Sequence, residues 1–255
     1  MIRVDNIVKY YGEHLALKGI SYTINKGEIV GFLGPNGAGK STMMRIITGY
    51  LPATSGFVYL DDYEIYDNPI ELKRKIGYMP ENISLYTEMT VIDYLKFAAK
   101  LKGISRKHIK SALENTIEIT GLTKYKDRII GHLSKGYKQR VGLAGAIIHD
   151  PKILILDEPT NGLDPNQIVE IRELIKELGK EKTVLVSTHI LSEVEATCSR
   201  AIIINKGNII ADDTPENLSL NFGNNDKSST IKISIKTNDN IESVKEKLLS
   251  ISDIY

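Results

Sequence analysis

The sequence predicts an α/β fold made of a parallel sheet with crossover helices, an antiparallel β subdomain and an inserted helical subdomain. Three observations predict it. Short apolar runs such as "KILILD" and "KTVLVSTH" alternate with helical patterns, as buried parallel strands do. The N-terminal segments alternate apolar and polar residues, as antiparallel strands do. Three segments with a helical pattern lie between the N-terminal strands and the buried parallel strands.

The N-terminal part of the chain is predicted to form strands. "IRVDNIVKYYG" and "LALKGISYTI" alternate and are separated by turn residues, and "GEIVGFLG" is a short apolar run that ends at glycine. A helix is expected from Lys40 through "STMMRIITGYL" until Pro52 ends it. "GFVYLDDYEI" then predicts a further strand pair. These elements account for the β subdomain and the first strand of the parallel sheet.

The helical subdomain is expected from about residue 88 to residue 149, with helices in "VIDYLKFAAKL", in "RKHIKSALENTIEIT" and from near Gly136. The parallel sheet then resumes. "NQIVEIRELIKELG" places five apolar residues on one helical face, with Gly179 as the expected C-cap. "LSEVEAT" predicts another helix, and "RAIIINKGNIIAD" predicts a hairpin that turns at Lys206 and Gly207.

The composition changes near residue 218, which sets the expected domain boundaries. Residues 1–217 form the main domain, the polar segment 218–229 is a linker candidate, and residues 230–255 are expected to form a small α/β appendage, cut short or packed on the main domain. The net charge of +1 argues against a non-specific nucleic-acid binder. Cys198 is the single cysteine, which favours a reducing compartment and a structural thiol. The first residues carry charges and no long apolar core, so no secretory signal is expected.

A phosphate-binding loop is predicted by "GPNGAGKS", here named the phosphate loop, Gly34–Ser41. It matches G-x-x-x-x-G-K-[ST] between a strand and a helix, the context that the motif requires. Glycines at 34, 37 and 39 let consecutive N–H groups converge on an anion, and the helix N-terminus adds positive potential. Lys40 supplies a cation for the β- and γ-phosphates, and Ser41 a hydroxyl for Mg²⁺. The whole nucleotide-binding segment comprises Gly34, Pro35, Asn36, Gly37, Ala38, Gly39, Lys40, Ser41 and Thr42.

A pair of carboxylates follows the strand "KILILD". Asp157 stands at the C-terminal end of a parallel strand, the edge where α/β sheets bind ligands, and is expected to hold Mg²⁺ directly or through water. Glu158 can orient an attacking water as a general base. An acid pair before a proline turn would be unremarkable alone, but the phosphate loop favours the catalytic interpretation.

Two more polar residues follow, each with a structural alternative. Asp164 precedes a proline-initiated helix, where an N-cap role alone would justify it. His189 ends the strand "VLVSTH" and would lie near a γ-phosphate if that strand neighbours the carboxylate strand.

Together these motifs resemble the ATP-binding cassette (ABC) transporter ATPase family over roughly residues 2–213, which implies a P-loop NTPase core with an antiparallel β subdomain and an inserted helical subdomain. The stretch "LSKGYKQR", here named the signature segment, Leu133–Arg140, occupies the place of the family's "LSGGQ" signature. Lys135 replaces its first glycine and Tyr137 its glutamine. The segment is similar to that of subunits of the gliding-motility and multidrug-export type.

The resemblance also implies roles for single residues. Tyr11 matches the aromatic residue that stacks on adenine, Glu81 takes the place of a glutamine near the metal, Asp164 matches a dimer-contact aspartate, and His189 a switch histidine. "ISLYTEMT" would line a groove for a helix of a membrane partner. Lys135 either adds to phosphate attraction or points to solvent.

The signature segment carries no acid or base, so it can only bind charge. Ser134 and the N–H of Gly136 at a helix N-terminus would suit a γ-phosphate. The phosphate loop already surrounds the phosphates from its own side. In the family the second clamp comes from another subunit, which implies a head-to-tail homodimer or heterodimer around two ATP molecules with Mg²⁺.

The leading function is therefore an ATPase subunit that powers a membrane transporter, by resemblance an exporter, from the cytoplasmic face through a permease partner. No stretch of the chain is long and apolar enough to span a membrane. ABC ATPases of chromosome or repair machinery carry long coiled coils, and translation-associated members carry two cassettes, neither of which occurs here. A non-transport regulatory or motor module on another complex remains the alternative.

Overall fold

The computed structural model describes residues 1–218 and contains two sheets. The described strands are β1 Ile2–Tyr11, β2 His14–Ile24, β3 Ile29–Leu33, β4 Ser55–Leu60, β5 Tyr63–Glu64, β6 Ile76–Met79, β7 Ile153–Asp157, β8 Thr183–Thr188, β9 Arg200–Asn205 and β10 Asn208–Asp213. The described helices are α1 Lys40–Ile47, α2 Pro69–Arg74, α3 Val91–Leu101, α4 Arg106–Ile119, α5 Lys135–Ile147, α6 Pro165–Gly179 and α7 Leu191–Thr197. Two short 3-10 helices, Thr123–Tyr125 and Ile130–His132, precede α5.

The two sheets confirm the predicted α/β architecture. The antiparallel sheet has the strand order β2-β1-β4-β5, and the second sheet has the order β10-β9-β3-β8-β7-β6. Strands β6, β7, β8, β3 and β9 are parallel, and β10 closes the edge as the antiparallel partner of β9. The hairpin turns at Lys206 and Gly207, both with positive φ, as the sequence predicts. The order β3-β8-β7 brings three strand ends side by side, and these ends build the site.

The central strands are apolar on both faces because helices or the second sheet cover each side. In β7, Ile153 and Ile155 join the core that includes α1 and the antiparallel sheet, whereas Leu154 and Leu156 join the core under α6. The alternation of the pleat therefore divides one continuous apolar run between two cores. Helices α3, α4 and α5 share a third core of their own.

Helix α1 ends earlier than the sequence predicted. The pattern favoured a helix that continues to Pro52, but α1 ends at Ile47. Gly49 has φ +63, and the N–H of Tyr50 donates to the carbonyl of Arg45 at 2.9 Å while the N–H of Gly49 donates to that of Ile46. This pattern is a Schellman ending, which a left-handed glycine stabilises. The glycine therefore ends the helix before the proline does.

The end of α6 also differs from the expectation. Gly179 is the last helical residue rather than the C-cap, which is Lys180. A Cβ on Gly179 would collide with the side chain of Ile29, so the glycine serves close packing between α6 and β3. Of the five residues predicted on the apolar face, Ile171, Leu174, Ile175 and Leu178 are buried and Ile168 is partly buried.

Two elements between β5 and α3 in the sequence were not predicted. Helix α2 begins at Pro69, and β6, Ile76–Met79, pairs with β7 at the edge of the second sheet. Strand β6 has only four residues, too few for its alternation to stand out. The predicted linker and appendage lie outside the described residues, apart from Leu218, which is buried against Leu33, Val194 and Ala201.

Candidate functional site

The phosphate loop joins β3 to α1, and the structure shapes it as an anion cradle. Gly37 and Gly39 have φ of +79 and +113, values that L side chains rarely adopt. The carbonyl of Ala38 accepts from the N–H of Gly207, so the β9–β10 turn holds the loop from outside. The N–H groups of the first turn of α1 have no partners within the helix. These N–H groups are therefore free of helical hydrogen bonds, which is what binding of an anion at a helix N-terminus requires.

The Lys40 side chain lies within the loop it belongs to and is only 5% exposed. Its Nζ donates to the carbonyl of Gly34 at 2.7 Å and to that of Pro35 at 3.3 Å. The same Nζ lies 3.2 Å from Oε1 of Glu158, so the two charges form a buried ion pair. Burying a cation beside carbonyl and carboxylate oxygens limits its desolvation cost. A polyphosphate would present the same kind of oxygen.

The carboxylate pair lies beside the loop because β7 and β8 are neighbours. Asp157 Oδ1 accepts from the hydroxyl of Ser41 at 3.2 Å and from that of Ser187 at 2.5 Å. Asp157 is 1% exposed and does not line the nucleotide cavity itself, whereas Ser41, which donates to it, does. Ser187 was not identified from the sequence, although its place opposite Asp157 follows from the strand pairing.

Glu158 occupies a strained backbone position. Its φ is +50, which is uncommon for a residue with a Cβ, and such strain concentrates at functional sites. Its N–H donates to the carbonyl of Ser187 at 3.2 Å and to the hydroxyl of Ser187 at 3.0 Å. The side chain is 5% exposed, and Oε1 has no hydrogen-bond partner although Lys40 lies near it. A buried carboxylate oxygen without a hydrogen bond can accept one from a bound water molecule, as a general base must.

His189 contacts Glu158 directly. Its Nδ1 lies 3.0 Å from Oε2 of Glu158, and the imidazole is 41% exposed. The sequence predicted His189 near the phosphates only if its strand neighbours the carboxylate strand, and β8 does pair with β7. The contact itself was not foreseen, because it depends on the turn after each strand.

A cavity of about 350 Å³ collects most of the predicted nucleotide-binding residues. Its lining residues are Tyr11, His14, Ala16, Asn36, Gly37, Gly39, Lys40, Ser41, Thr42, Glu81 and Glu158. Tyr11 is half exposed at the rim and pairs with His14 across the β1–β2 hairpin, so the hairpin supplies one wall. His14 and Ala16 were not identified from the sequence, although His14 pairs with Tyr11 across the hairpin and Ala16 lies two residues further along β2.

Glu81 lies at the mouth of the same cavity. It follows β6 and Pro80, is exposed, and Oε1 accepts from Nδ2 of Asn161 at 3.2 Å. Residues 1–218 hold no cluster of three or more His, Cys, Asp or Glu side chains arranged as metal ligands. A hydroxyl beside a carboxylate, Ser41 beside Asp157, nevertheless fits a hard cation that takes its other ligands from phosphate and water.

The signature segment lies away from this cavity, at the start of α5. Ser134 is the N-cap, is exposed, and its side chain makes no capping hydrogen bond. Gly136 is buried, and a Cβ there would collide with Gln167 of α6. Neither residue lines the nucleotide cavity of the same chain. Asp164 is also outside it: Oδ1 accepts from the N–H of Gln167 at 3.0 Å, which makes Asp164 the N-cap of α6.

The two unusual residues of the signature segment have contacts within the chain. The Lys135 ammonium lies against Gly162, at the position that a Cβ there would occupy. Tyr137 stacks on Tyr125 with ring centroids 3.9 Å apart. Arg140 donates to the carbonyl of Thr120 at 2.9 Å and forms an ion pair with Glu170 at 2.6 Å, so it links α4, α5 and α6.

The chain is similar to known proteins over most of its length. The family described as "ABC transporter" matches residues 17–161. The bacitracin transport ATP-binding protein BcrA of Bacillus licheniformis is 39% identical over 212 residues, which cover 82% of this chain and 68% of the relative. The lantibiotic transport ATP-binding protein SrtF of Streptococcus pyogenes is 39% identical over 228 residues, which cover 88% of this chain and 96% of the relative.

A solved structure is similar over most of the described fold. It is the dimer of the ATP-binding cassette MJ0796 in a post-hydrolysis state, bound to ADP and Pi. The likeness has a TM-score of 0.76 at 29% identity and covers 84% of this chain and 99% of that one. None of the described helices is long and apolar enough to cross a bilayer.

Proposed function

Because this chain belongs to the ABC transporter ATP-binding family, we propose that it is the ATP-hydrolysing subunit of a membrane exporter, in which two such subunits dimerise around two ATP molecules. The observation that carries the proposal is the meeting of Lys40, Asp157, Glu158 and His189 at one edge of the parallel sheet. Its relatives named for bacitracin and lantibiotic transport support transport over a regulatory module.

The chemistry follows from the contacts. The phosphate loop and Lys40 bind the triphosphate, and Tyr11 at the rim stacks on the adenine. Glu158 accepts a proton from the attacking water, and His189, which contacts its other oxygen, orients it and lies toward the γ-phosphate. Ser41, Asp157 and Glu81 would hold Mg²⁺, which supplies charge neutralisation of the phosphate oxygens when bound. When ATP binds, Lys40 would pair with a phosphate oxygen in place of Glu158. The Glu158 carboxylate would then be free to act as the base.

The second half of each site comes from the other subunit. Ser134 and the N–H of Gly136 stand at a helix N-terminus, outside the cavity of their own chain, which suits a γ-phosphate held by a partner. Asp164 caps α6 through the N–H of Gln167, the residue against which Gly136 packs, and would contribute to the contact between the subunits. The homodimer and the heterodimer are both consistent with this arrangement.

Arginine at Ser134 tests the cross-subunit clamp. The Ser134→Arg variant should bind ATP with an affinity within about threefold of wild type, because its own cavity is intact. It should fail to form the ATP-dependent dimer, measured by light scattering after size-exclusion chromatography, because a bulky side chain fills the γ-phosphate position. Ser105→Arg is the matched control, since Ser105 is also an exposed N-cap without a capping hydrogen bond. An ATP-dependent dimer in Ser134→Arg would contradict the clamp.

A second cavity, of about 600 Å³, lies between the helical subdomain and the sheet. We propose it as the docking site for a helix of the permease. Tyr86, Tyr94 and Phe97 contribute aromatic rings to it, and Arg45 and Lys102 contribute cations. Burial lowers the pKa of Lys102, so an acidic group on a docked helix would favour its charged form. Its lining includes Ile83, Ser84 and Tyr86 of the "ISLYTEMT" segment, which favours a partner helix with an apolar face and a carboxylate. Through this contact the subunit would work at the inner face of the membrane.

Co-expression with a candidate permease, an integral membrane protein whose gene neighbours that of this chain, tests the transport function. Wild type should co-purify with that protein in detergent, and Tyr86→Asp should lose most of the complex because a charge enters the aromatic groove. Tyr63→Asp is the matched control, since Tyr63 is 57% exposed and Tyr86 56% exposed. The ATPase activity of the isolated Tyr86→Asp chain should equal that of wild type. A complex that forms equally with Tyr86→Asp would contradict this docking site.

A further inference from the structure

A buried carboxylate behind the catalytic pair has no role in the chemistry described so far. Glu193 lies in the first turn of α7, four residues after His189, and is 7% exposed. Its Oε1 accepts from the hydroxyl of Thr160 at 2.7 Å, and its Oε2 accepts from the hydroxyl of Thr188 at 2.7 Å. The two threonines are themselves buried. One carboxylate thus joins two segments that are distant in sequence.

The two segments are those that carry the catalytic pair. Thr160 follows Glu158 and Pro159, and Thr188 immediately precedes His189. The backbone of Thr188 also reaches the phosphate loop, because its carbonyl accepts from the N–H of Gly34 at 3.2 Å. The planar carboxylate of Glu193 therefore sets the spacing between the loop after β7 and the end of β8. Glu158 and His189 lie next to these two threonines in the sequence, and the Nδ1 of His189 is 3.0 Å from Oε2 of Glu158.

The energetics argue against a purely structural explanation. Burying a carboxylate costs several kcal/mol unless ionic or hydrogen-bonding partners compensate, and apolar residues often fill such places at no loss of stability. Within residues 1–218, no lysine or arginine forms an ion pair with Glu193, and its bonds come from two neutral hydroxyls. What an apolar side chain cannot supply is two acceptors at a fixed separation.

We propose that Glu193 is a positioning residue for ATP hydrolysis, whose carboxylate holds Thr160 and Thr188 so that Glu158 and His189 keep their contact. Glu158 needs such support, because a residue at φ +50 keeps its conformation only where its surroundings hold it. The inference rests on the proposed function, since it presumes that Glu158 and His189 act on ATP. Glu193 itself is not among the residues that line the nucleotide cavity.

The decisive experiment is a kinetic double-mutant cycle on the purified full chain. Glu193→Gln keeps the side chain's size but leaves one acceptor in place of two. Its kcat for ATP hydrolysis should fall about tenfold, whereas KM and the dissociation constant for ATP should stay within about twofold of wild type. In a His189→Ala background the same substitution should lower kcat by less than about twofold, because the contact that Glu193 supports is already absent.

Controls separate positioning from stability. Glu177→Gln removes one carboxylate from an exposed ion pair with Lys180 and should leave kcat unchanged. If Glu193→Gln does not fold, Thr188→Val replaces it: this variant removes one of the two hydroxyls with little change of volume and should show the same fall in kcat at constant KM. Circular dichroism and thermal melting report folding in each case.

The outcomes distinguish the two proposals. A folded Glu193→Gln or Thr188→Val with wild-type kcat overturns the positioning role and leaves the ATPase function intact. An equal tenfold fall in the His189→Ala background overturns it too, because Glu193 would then act independently of that contact. A wild-type chain that hydrolyses no ATP, with its permease or without it, would instead overturn the proposed function.

Discussion

Glu158→Gln should retain ATP binding, lose about 10²- to 10⁴-fold in turnover and accumulate as an ATP-bound dimer. The amide has the size of the carboxylate but cannot take a proton from water at neutral pH. ATP affinity should not fall, because the substitution removes a negative charge 3.2 Å from the Lys40 ammonium that binds the phosphates. Hydrolysis reopens the dimer, so its loss traps the closed form.

Phosphate release and light scattering measure the two effects in one sample. Glu177→Gln serves as the matched control, since it removes an exposed carboxylate on α6 and should behave as wild type in both assays. Turnover at the wild-type rate in Glu158→Gln would refute the assignment of Glu158 as the general base. A slow variant that remains monomeric with ATP would instead count against the dimer as the hydrolytic form.

Lys40→Ala should lower the affinity for ATP by at least about 30-fold, because truncating one partner of a buried charge pair costs about 2–5 kcal/mol. Lys40 is the cation at the base of the cradle, and its Nζ already contacts the loop carbonyls and Glu158. The variant leaves the Glu158 carboxylate buried without that ion pair. This uncompensated charge repels the triphosphate and adds to the loss of affinity.

Titration with a fluorescent ATP analogue measures the change, and thermal melting checks that the variant is folded. Lys96→Ala is the control, because Lys96 is exposed on the helical subdomain and outside the nucleotide cavity. Unchanged affinity in Lys40→Ala would mean that the phosphate loop binds no phosphate.

The backbone of the phosphate loop could be predicted because most of its determinants are local. Gly37 and Gly39 are placed where the backbone takes positive φ, and Lys40 and Ser41 follow within the same contiguous segment. Gly34 is the exception, because a Cβ there would collide with the carbonyl of Ile204 in a distant strand. The strand before the loop and the helix after it were also read from short-range periodicity. Asp157 and His189 could be placed at strand ends for the same reason.

Contacts between distant segments could not be predicted in the same way. Three contacts join residues from different parts of the chain: His189 with Glu158, Lys40 with Glu158, and Glu193 of α7 with Thr160 and Thr188. The segment "LSEVEAT" predicts a helix, but nothing in its period distinguishes Glu193 from the other acid on it, Glu195. Burial alone makes that distinction.

A glycine-rich loop before a helix, a carboxylate pair at a strand end and the signature segment can each be recognised in the sequence, because each depends on neighbours a few residues apart. Which of them lie close together depends on the packing of distant segments. The order β3-β8-β7 places the phosphate loop, His189 and Glu158 side by side, whereas Ser134 does not line the nucleotide cavity. These three strands are almost fully buried, so their order depends on the packing of the whole domain rather than on any segment.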